Sequence, residues 1–133
     1  MTYAGEVSSP QAYEALMSDP TAVLVDCRTK AEWQFVGVPA IDRAVFVEWT
    51  RYPDNARNES FLEELAGAGI EQGRPVYFIC RSGQRSRAAA KAATAAGYTQ
   101  AFNVSDGFEG PLDGAGRRIV SGWKTNGLPW KQG

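Results

Sequence analysis

Cys80 is the residue of this sequence best placed to act as a nucleophile, because it joins an apolar stretch to a short cationic loop. The stretch Pro75–Ile79 reads Pro-Val-Tyr-Phe-Ile, and the loop Cys80–Ser86 reads Cys-Arg-Ser-Gly-Gln-Arg-Ser. An alanine-rich segment ending at Gly97 follows, which predicts that the loop opens a helix. The unpaired amides and positive dipole end of a helix N-terminus attract anions. The spacing therefore predicts a thiolate held over a helix N-terminus.

The composition of the loop favours a functional role for Cys80 over a structural one. Arg81, Arg85 and Arg87 bring positive charge close to the sulfur in sequence, and Gly83 allows the positive φ of a tight anion-binding loop. Such surroundings favour the thiolate form of a cysteine. The structural alternative is a small buried side chain at a strand end. We predict that Cys80 is catalytic and that the rest of the loop binds substrate: Arg81, Ser82, Gly83, Gln84, Arg85 and Ser86.

The sequence contains no histidine, which limits the kinds of active site that it can form. Ser-His-Asp triads, Cys-His dyads and H-E-x-x-H zinc sites are excluded. Cys27 and Cys80 are the only cysteines, too few for the four ligands of a structural zinc site. We therefore expect no metal site, and we expect no organic cofactor either. The nucleophile must be activated by backbone dipoles, by cations or by the substrate.

Length and charge indicate one domain without a general affinity for polyanions. The 133 residues suit a single core, which we expect to span residues 5–131. A net charge of -1 argues against nucleic acid or an anionic membrane as a partner. The segment Met1–Glu6 lacks the basic and apolar parts of a signal peptide, and no apolar run is long enough to span a membrane. We expect a cytoplasmic location, where a disulfide is disfavoured.

The elements that must position Cys80 follow an α/β pattern. Apolar runs predict strands, at 22–25, 44–47, 75–79 and 101–104. Between them the sequence predicts helices, at 9–18, 30–35, 58–67, 86–96 and 121–126. This alternation is typical of a mainly parallel sheet covered by helices on both faces. Ligands bind at the carboxyl ends of such strands, so Cys80 and the segment Asp26–Arg28 are expected at one edge.

The first predicted helix has a clear starting signal and a predicted inner face. Ser9 suits the N-cap and Pro10 the first helical position. Tyr13, Leu16 and Met17 have the spacing of residues that share one face, so we expect them to pack inward.

Three motifs, in the same order along the chain, resemble those of the rhodanese family. The loop Cys80–Ser86 is similar to the family's active-site loop, C-R-S-G-x-R-S. Residues 25–33 resemble its D-V-R-x-x-x-E-[FW] signature, and Asn103–Phe108 resembles N-V-x-x-G-[FWY]. The segments Gly122–Lys124 and Gly127–Trp130 look like the tail of small bacterial rhodaneses. The resemblance implies a three-layer α/β fold whose central sheet has about five parallel strands.

The resemblance implies a sulfurtransferase that carries sulfane sulfur as a persulfide on Cys80. The donor would be thiosulfate or a similar small anion, and the acceptor a thiol, cyanide or a sulfur-acceptor protein. Thiosulfate and 3-mercaptopyruvate remain alternatives as donor. A second interpretation is a non-enzymatic sulfur-relay or regulatory module that docks a partner protein. A third is a Cdc25-like phosphatase or an arsenate reductase. Related phosphatases have one residue more than the four between Cys80 and Arg85, which disfavours the third interpretation.

Cys27 departs from the family pattern, because it stands where valine is usual. We favour its interpretation as a buried substitute for valine. The alternative is a resolving thiol that attacks a persulfide on Cys80. The segment Val36–Ile41 also differs from the usual G-H-I-P-G-A stretch, since it has no histidine.

The residues around Cys27 are expected to be structural. A carboxylate beside the nucleophile would disfavour its thiolate, so we assign Asp26 to ordering the strand end. Arg28 and Glu32 have the i, i+4 spacing of a helical ion pair. The family resemblance implies that Trp33 and Phe108 wall the substrate pocket.

Overall fold

The structure is a computed structural model that describes residues 2–132, and its centre is a five-stranded parallel sheet. Its strands, numbered along the chain, are β1 (Gly5–Val7), β2 (Val23–Asp26), β3 (Val38–Pro39), β4 (Ala44–Phe46), β5 (Thr50–Arg51), β6 (Ala56–Arg57), β7 (Val76–Ile79), β8 (Ala101–Val104) and β9 (Trp130–Lys131). Its helices are α1 (Ser9–Ser18), α2 (Lys30–Phe35), α3 (Phe61–Gly67) and α4 (Gln84–Ala95).

The order of the main sheet is β1-β8-β7-β2-β4, and every neighbouring pair is parallel. The pairs β3-β9 and β5-β6 form two small antiparallel ribbons. These observations confirm the predicted α/β fold with a mainly parallel sheet of about five strands.

The sheet separates two apolar cores because its central strands are apolar on both faces. All residues of β2 and β7 are buried. Val25 and Phe78 pack on one side, against α3 and the alanines of α4. Leu24 and Ile79 pack on the other, against α1 and the buried Trp123. Three layers follow from this two-sided burial.

Helix α1 begins one residue earlier than its cap predicted, because its N-cap is Ser8 rather than Ser9, and its inner face differs. The N-cap is Ser8, whose side chain accepts a hydrogen bond from the amide of Gln11 in a capping box. Ala12 and Leu16 are fully buried, whereas Met17 is 52% exposed. The expectation that Met17 packs inward was therefore wrong, because Ala12 at i−4 from Leu16 takes that place against the sheet.

The segment 121–126 is not a helix but a series of turns, which corrects the sequence prediction. Gly122 has φ 115°, and its amide donates to Oδ2 of Asp106 at 3.0 Å. The indole of Trp123 donates to the carbonyl oxygen of Pro129 at 2.7 Å. Side-chain and long-range hydrogen bonds hold this segment in place of a helical ladder. Among the helices of residues 2–132, none has the length and apolar character needed to cross a membrane.

Candidate active site

Cys80 lies at the carboxyl end of β7, with its sulfur directed at the start of α4. The amides of Gly83 and Ser86 donate to Sγ at 3.2 Å and 3.3 Å. The hydroxyl of Ser86 lies 3.2 Å from the same sulfur. The side chain is only 1% exposed, so these groups form most of its polar surroundings. This is the arrangement expected of a sulfur held over a helix N-terminus.

Two further amides of the first helical turn are available to an anion. The amides of Gln84 and Arg85 make no backbone hydrogen bond within residues 2–132, as is usual for the first turn of a helix. They follow Gly83, the N-cap of α4, in the chain. The loop therefore offers two amides that donate to the sulfur of Cys80 and two more that are open to an anion.

Gly83 is required at the turn into α4. Its φ is 104°, in the region that glycine favours, and a Cβ there would lie 2.3 Å from the carbonyl oxygen of Ser105. This positive φ also explains why α4 begins at Gln84, two residues before the alanine-rich pattern predicted. The active-site loop and the loop after β8 are thus in direct backbone contact.

The loop after β8 holds the active-site loop in place through backbone hydrogen bonds. The amide of Phe108 donates to the carbonyl oxygen of Cys80 at 2.8 Å, and that of Glu109 to the carbonyl of Arg81 at 3.0 Å. A Cβ on Gly107 would lie 2.4 Å from the same Arg81 oxygen. The motif Asn103–Phe108 therefore positions the nucleophile through its backbone, which sequence patterns alone did not reveal.

Arg85 has a structural role as well as the predicted substrate-binding one, because both of its terminal nitrogens bind Glu32. They lie 2.7 Å and 2.9 Å from the two carboxylate oxygens. Burial acts to raise the pKa of Glu32, but the hydrogen bond and charge of Arg85 outweigh it and hold that pKa at about 2. Burial acts to lower the pKa of Arg85, and the same ion pair raises it instead. Glu32 therefore belongs to the site through Arg85, whereas its sequence spacing had predicted Arg28 as its partner.

The expected ion pair between Arg28 and Glu32 does not form. Arg28 precedes α2 and is fully buried, with Nη2 2.7 Å from Oδ2 of Asp26 and 2.8 Å from the carbonyl oxygen of Gly37. Its guanidinium carbon lies 4.2 Å from the centre of the Phe108 ring. Because Arg28 is not on the helix, i, i+4 spacing brings it no contact with Glu32. The structural assignment of Asp26 agrees with this geometry.

The other two arginines of the loop region differ in their surroundings. Arg87 pairs with Glu6 at 3.1 Å and is half exposed, so it does not face the sulfur. Arg81 makes no ion pair within the described residues. It lines a cavity of about 380 Å³ together with four other residues: Glu32, Thr50, Asn55 and Arg85.

Trp33 and Phe108 are not among the residues that line this cavity. Phe108 is fully buried beneath Arg28, and Trp33 packs edge to face against Phe46. Their role as walls of the substrate pocket therefore stays a prediction. Thr50 of β5 and Asn55, in the turn between β5 and β6, line the cavity, and no sequence motif identified them.

Cys27 lies beside Cys80 in the sheet but in a different environment. It follows Asp26, which is in register with Ile79, and its Sγ donates to the carbonyl oxygen of Ile79 at 3.3 Å. Burial, followed by the neighbouring Cys80, raises its pKa well above the ordinary value. Both cysteines are free thiols. The geometry favours a neutral, buried thiol at this position.

The ion pair of Glu32 and Arg85 gives a prediction for the pH dependence of stability. The carboxyl titrates near 4.5 when unfolded and about 2 when folded, so its stabilising effect is complete above pH 4.5 and is lost as the pH falls toward 2. We expect Glu32→Gln to lower the free energy of unfolding by no more than about 3 kcal/mol at neutral pH. Urea unfolding at a series of pH values measures this.

The difference between the wild type and Glu32→Gln should shrink steadily as the pH falls through this range. The exposed Glu63→Gln is the matched control, and we expect it to change stability little at any pH. A difference that stays constant from neutral to acid pH would show that the ion pair is not its source.

Comparison with known proteins identifies relatives over nearly the whole chain. A family model described as "Rhodanese-like domain" matches residues 9–111. The crystal structure of Rv0390 from M. tuberculosis superposes with a TM-score of 0.89 at 50% sequence identity, covering 98% of this chain and 99% of that one. "Uncharacterized protein RC0915" of Rickettsia conorii is 40% identical over 129 residues, 94% of this chain and 95% of the relative.

A more distant relative carries the name of an activity. The "Thiosulfate:glutathione sulfurtransferase" of Saccharomyces cerevisiae is 30% identical over 83 residues, which is 61% of this chain and 58% of that protein.

Proposed function

We propose that this chain, which belongs to the family of rhodanese-like domains, is a sulfurtransferase that carries sulfane sulfur on Cys80. The observation that carries the proposal is the position of Sγ, 3.2 Å and 3.3 Å from two backbone amides at the start of α4. Sulfur transfer as a family activity supports it, through the named yeast relative. The donor we propose is thiosulfate or a similar small anion.

The first half-reaction is an attack on the outer sulfur of the donor. The thiolate of Cys80 forms a bond to that sulfur, the sulfur–sulfur bond of thiosulfate breaks, and its electron pair leaves with sulfite. Arg81 and the loop amides hold the anionic donor and stabilise the developing charge. Arg85, bound to Glu32, contributes by fixing the first turn of α4 and by its charge near the sulfur.

The second half-reaction returns the enzyme to its starting state. The persulfide on Cys80 keeps its negative terminal sulfur beside the amides of the loop, Ser82–Ser86. A nucleophilic acceptor attacks that terminal sulfur, and the Cys80 thiolate is released as leaving group. The acceptor is cyanide in an assay, and a thiol or a sulfur-acceptor protein in the cell. Neither a metal nor an organic cofactor enters this scheme.

We extend the proposal to the boundaries of the domain and to its location in the cell. One catalytic domain spans residues 5–131, since the tail from Gly122 to Trp130 packs on the loop that clamps the nucleophile. We also propose a cytoplasmic location, a reducing compartment in which both thiols would persist.

Intact-mass spectrometry after incubation with thiosulfate tests the proposal. We expect the protein to gain the mass of one sulfur atom and to lose it on addition of cyanide. Initial rates at several fixed cyanide concentrations should give parallel double-reciprocal lines, as a covalent intermediate requires. A fast turnover without any gain in mass would overturn the persulfide step. Hydrolysis of an aryl phosphate at a comparable rate would favour a phosphatase instead.

A further inference from the structure

The hydroxyl of Ser86 lies between two buried groups that compete for its single hydrogen. Its Oγ is 3.2 Å from Sγ of Cys80 and 2.5 Å from Oδ1 of Asn103. All three side chains are at most 1% exposed. One hydroxyl hydrogen can satisfy only one of these acceptors at a time, so its direction decides what the sulfur encounters.

The orientation of the Asn103 amide settles that direction. Its Nδ2 donates to Oε1 of Glu6 at 3.1 Å and to the carbonyl oxygen of Gly83 at 3.1 Å. The opposite orientation would place Oδ1 against two acceptors and leave two hydrogens facing Ser86. Burial acts to raise the pKa of Glu6, but its hydrogen bonds from Tyr3, Asn103 and Arg87 lower it, so Glu6 is an ionised acceptor at neutral pH. Oδ1 therefore faces Ser86 and accepts its hydrogen.

The sulfur then meets a lone pair of Ser86 rather than its hydrogen. This suits a neutral thiol, whose S–H donates to Oγ while Sγ accepts the amides of Gly83 and Ser86. A thiolate or a persulfide has no hydrogen on Sγ, and the lone pair of Oγ would repel it. The hydroxyl must then turn toward the sulfur, which leaves Oδ1 of Asn103 buried without a donor from any residue of 2–132. An unpaired buried acceptor is costly.

We propose that Asn103 is a positioning residue that, through the hydroxyl of Ser86, opposes removal of the proton from Cys80. Ser86 has two positions: it donates to Asn103 while the sulfur is a thiol, and to the sulfur once the thiolate or persulfide has formed. The turn of the hydroxyl changes only hydrogen bonds, whereas the S–H bond of the thiol breaks separately and its proton leaves to the solvent. The proposal rests on the proposed function only in taking Cys80 as the nucleophile.

Other charged and titratable groups also act on the sulfur, and they are present both with and without the Ser86 hydroxyl. Arg85 of α4 and Cys27 at the end of β2 interact with it through their charges. Arg81 follows Cys80 in the chain, and Glu6 of β1 is linked to the sulfur through Asn103 and Ser86. A comparison made with and without the Ser86 hydroxyl therefore isolates the effect of the hydroxyl from these charges.

The test is the pH dependence of alkylation of Cys80 by iodoacetamide, followed by intact mass. All variants carry Cys27→Val, so that one thiol reacts. We expect Asn103→Leu to move the midpoint of the rate to lower pH by about one pH unit, because the freed hydroxyl can donate to the thiolate. Ser86→Ala should move it to higher pH. Adding Asn103→Leu to Ser86→Ala should produce no further shift.

Two outcomes would overturn the proposal. One is an Asn103→Leu midpoint that is unchanged or higher than that of the parent. The other is an equal shift in the presence and absence of the Ser86 hydroxyl, which would indicate a structural effect on the loop. If circular dichroism shows that Asn103→Leu does not fold, Asn103→Ala is judged by the same two criteria. Alkylation needs no sulfur donor, so its result is independent of the persulfide measurement that tests the transferase.

Discussion

Replacing Cys80 by serine will abolish sulfur transfer, with a loss of at least about 10³-fold in the rate from thiosulfate to cyanide. The hydroxyl of serine stays protonated near neutral pH, and oxygen cannot form the persulfide that stores the transferred sulfur. The amide cradle at 3.2 Å and 3.3 Å should remain intact, because serine is close to cysteine in size. The measurement combines the thiosulfate–cyanide assay with intact mass after thiosulfate treatment.

Cys27→Val is the matched control, since it removes the other thiol from the same edge of the sheet. We expect it to keep its sulfurtransferase activity and its gain of one sulfur atom, as befits a fully buried side chain. A resolving thiol would behave differently: Cys27→Val would then accumulate the persulfide or change its response to oxidants. Activity in Cys80→Ser equal to that of Cys27→Val would refute the assignment of the nucleophile.

Removing the positive charge of Arg28 will produce the largest loss of stability. Arg28→Met is expected to lower the free energy of unfolding by about 3–5 kcal/mol, since it leaves a buried carboxylate without its partner. Both side chains of the pair are fully buried, and their closest atoms lie 2.7 Å apart. Among the residues that the structure describes, Asp26 would keep only its hydrogen bond from the Arg28 amide, at 3.1 Å. Urea unfolding followed by tryptophan fluorescence measures the change.

Two comparisons show whether the unpaired charge is the cause. The double variant Asp26→Leu with Arg28→Met removes both charges and should be more stable than Arg28→Met alone. The exposed pair of Arg117 and Asp113 supplies the surface control, since Arg117 is 67% exposed. Arg117→Met should change stability by less than about 1 kcal/mol. A double variant as unstable as Arg28→Met would assign the loss to packing on Phe108 instead.

The central features could be predicted from sequence because they depend on local patterns. The continuous apolar runs of β2 and β7 predict buried strands, and the loop Cys80–Ser86 directly follows β7. The alanines of α4 combine high helix propensity with a small surface that packs on the sheet. Strand β1 escaped prediction, because three residues are too few to establish a period.

The pairing of the charged residues could not be predicted, because it depends on long-range contacts. Glu32 and Arg85 are separated by 53 positions, and nothing in either local sequence specifies the partner. Arg28 illustrates the same limit at short range: its i, i+4 spacing to Glu32 matters only inside a helix, and α2 begins after it, at Lys30. Asn103 belongs to a recognisable motif, but only the fold brings it to Ser86.

The backbone interlock between the two loops makes the nucleophile dependent on the far end of the chain. Glycines 83 and 107 let the loops touch, and the amide of Trp123 then secures the second loop through the carbonyl oxygen of Gly107 at 2.8 Å. A chain shortened after β8 would retain all five parallel strands and every side chain of the cradle, yet lose the support beneath it. A truncation or fusion at the C-terminus should therefore preserve activity only if it leaves the hydrogen bond between Trp123 and Gly107 intact.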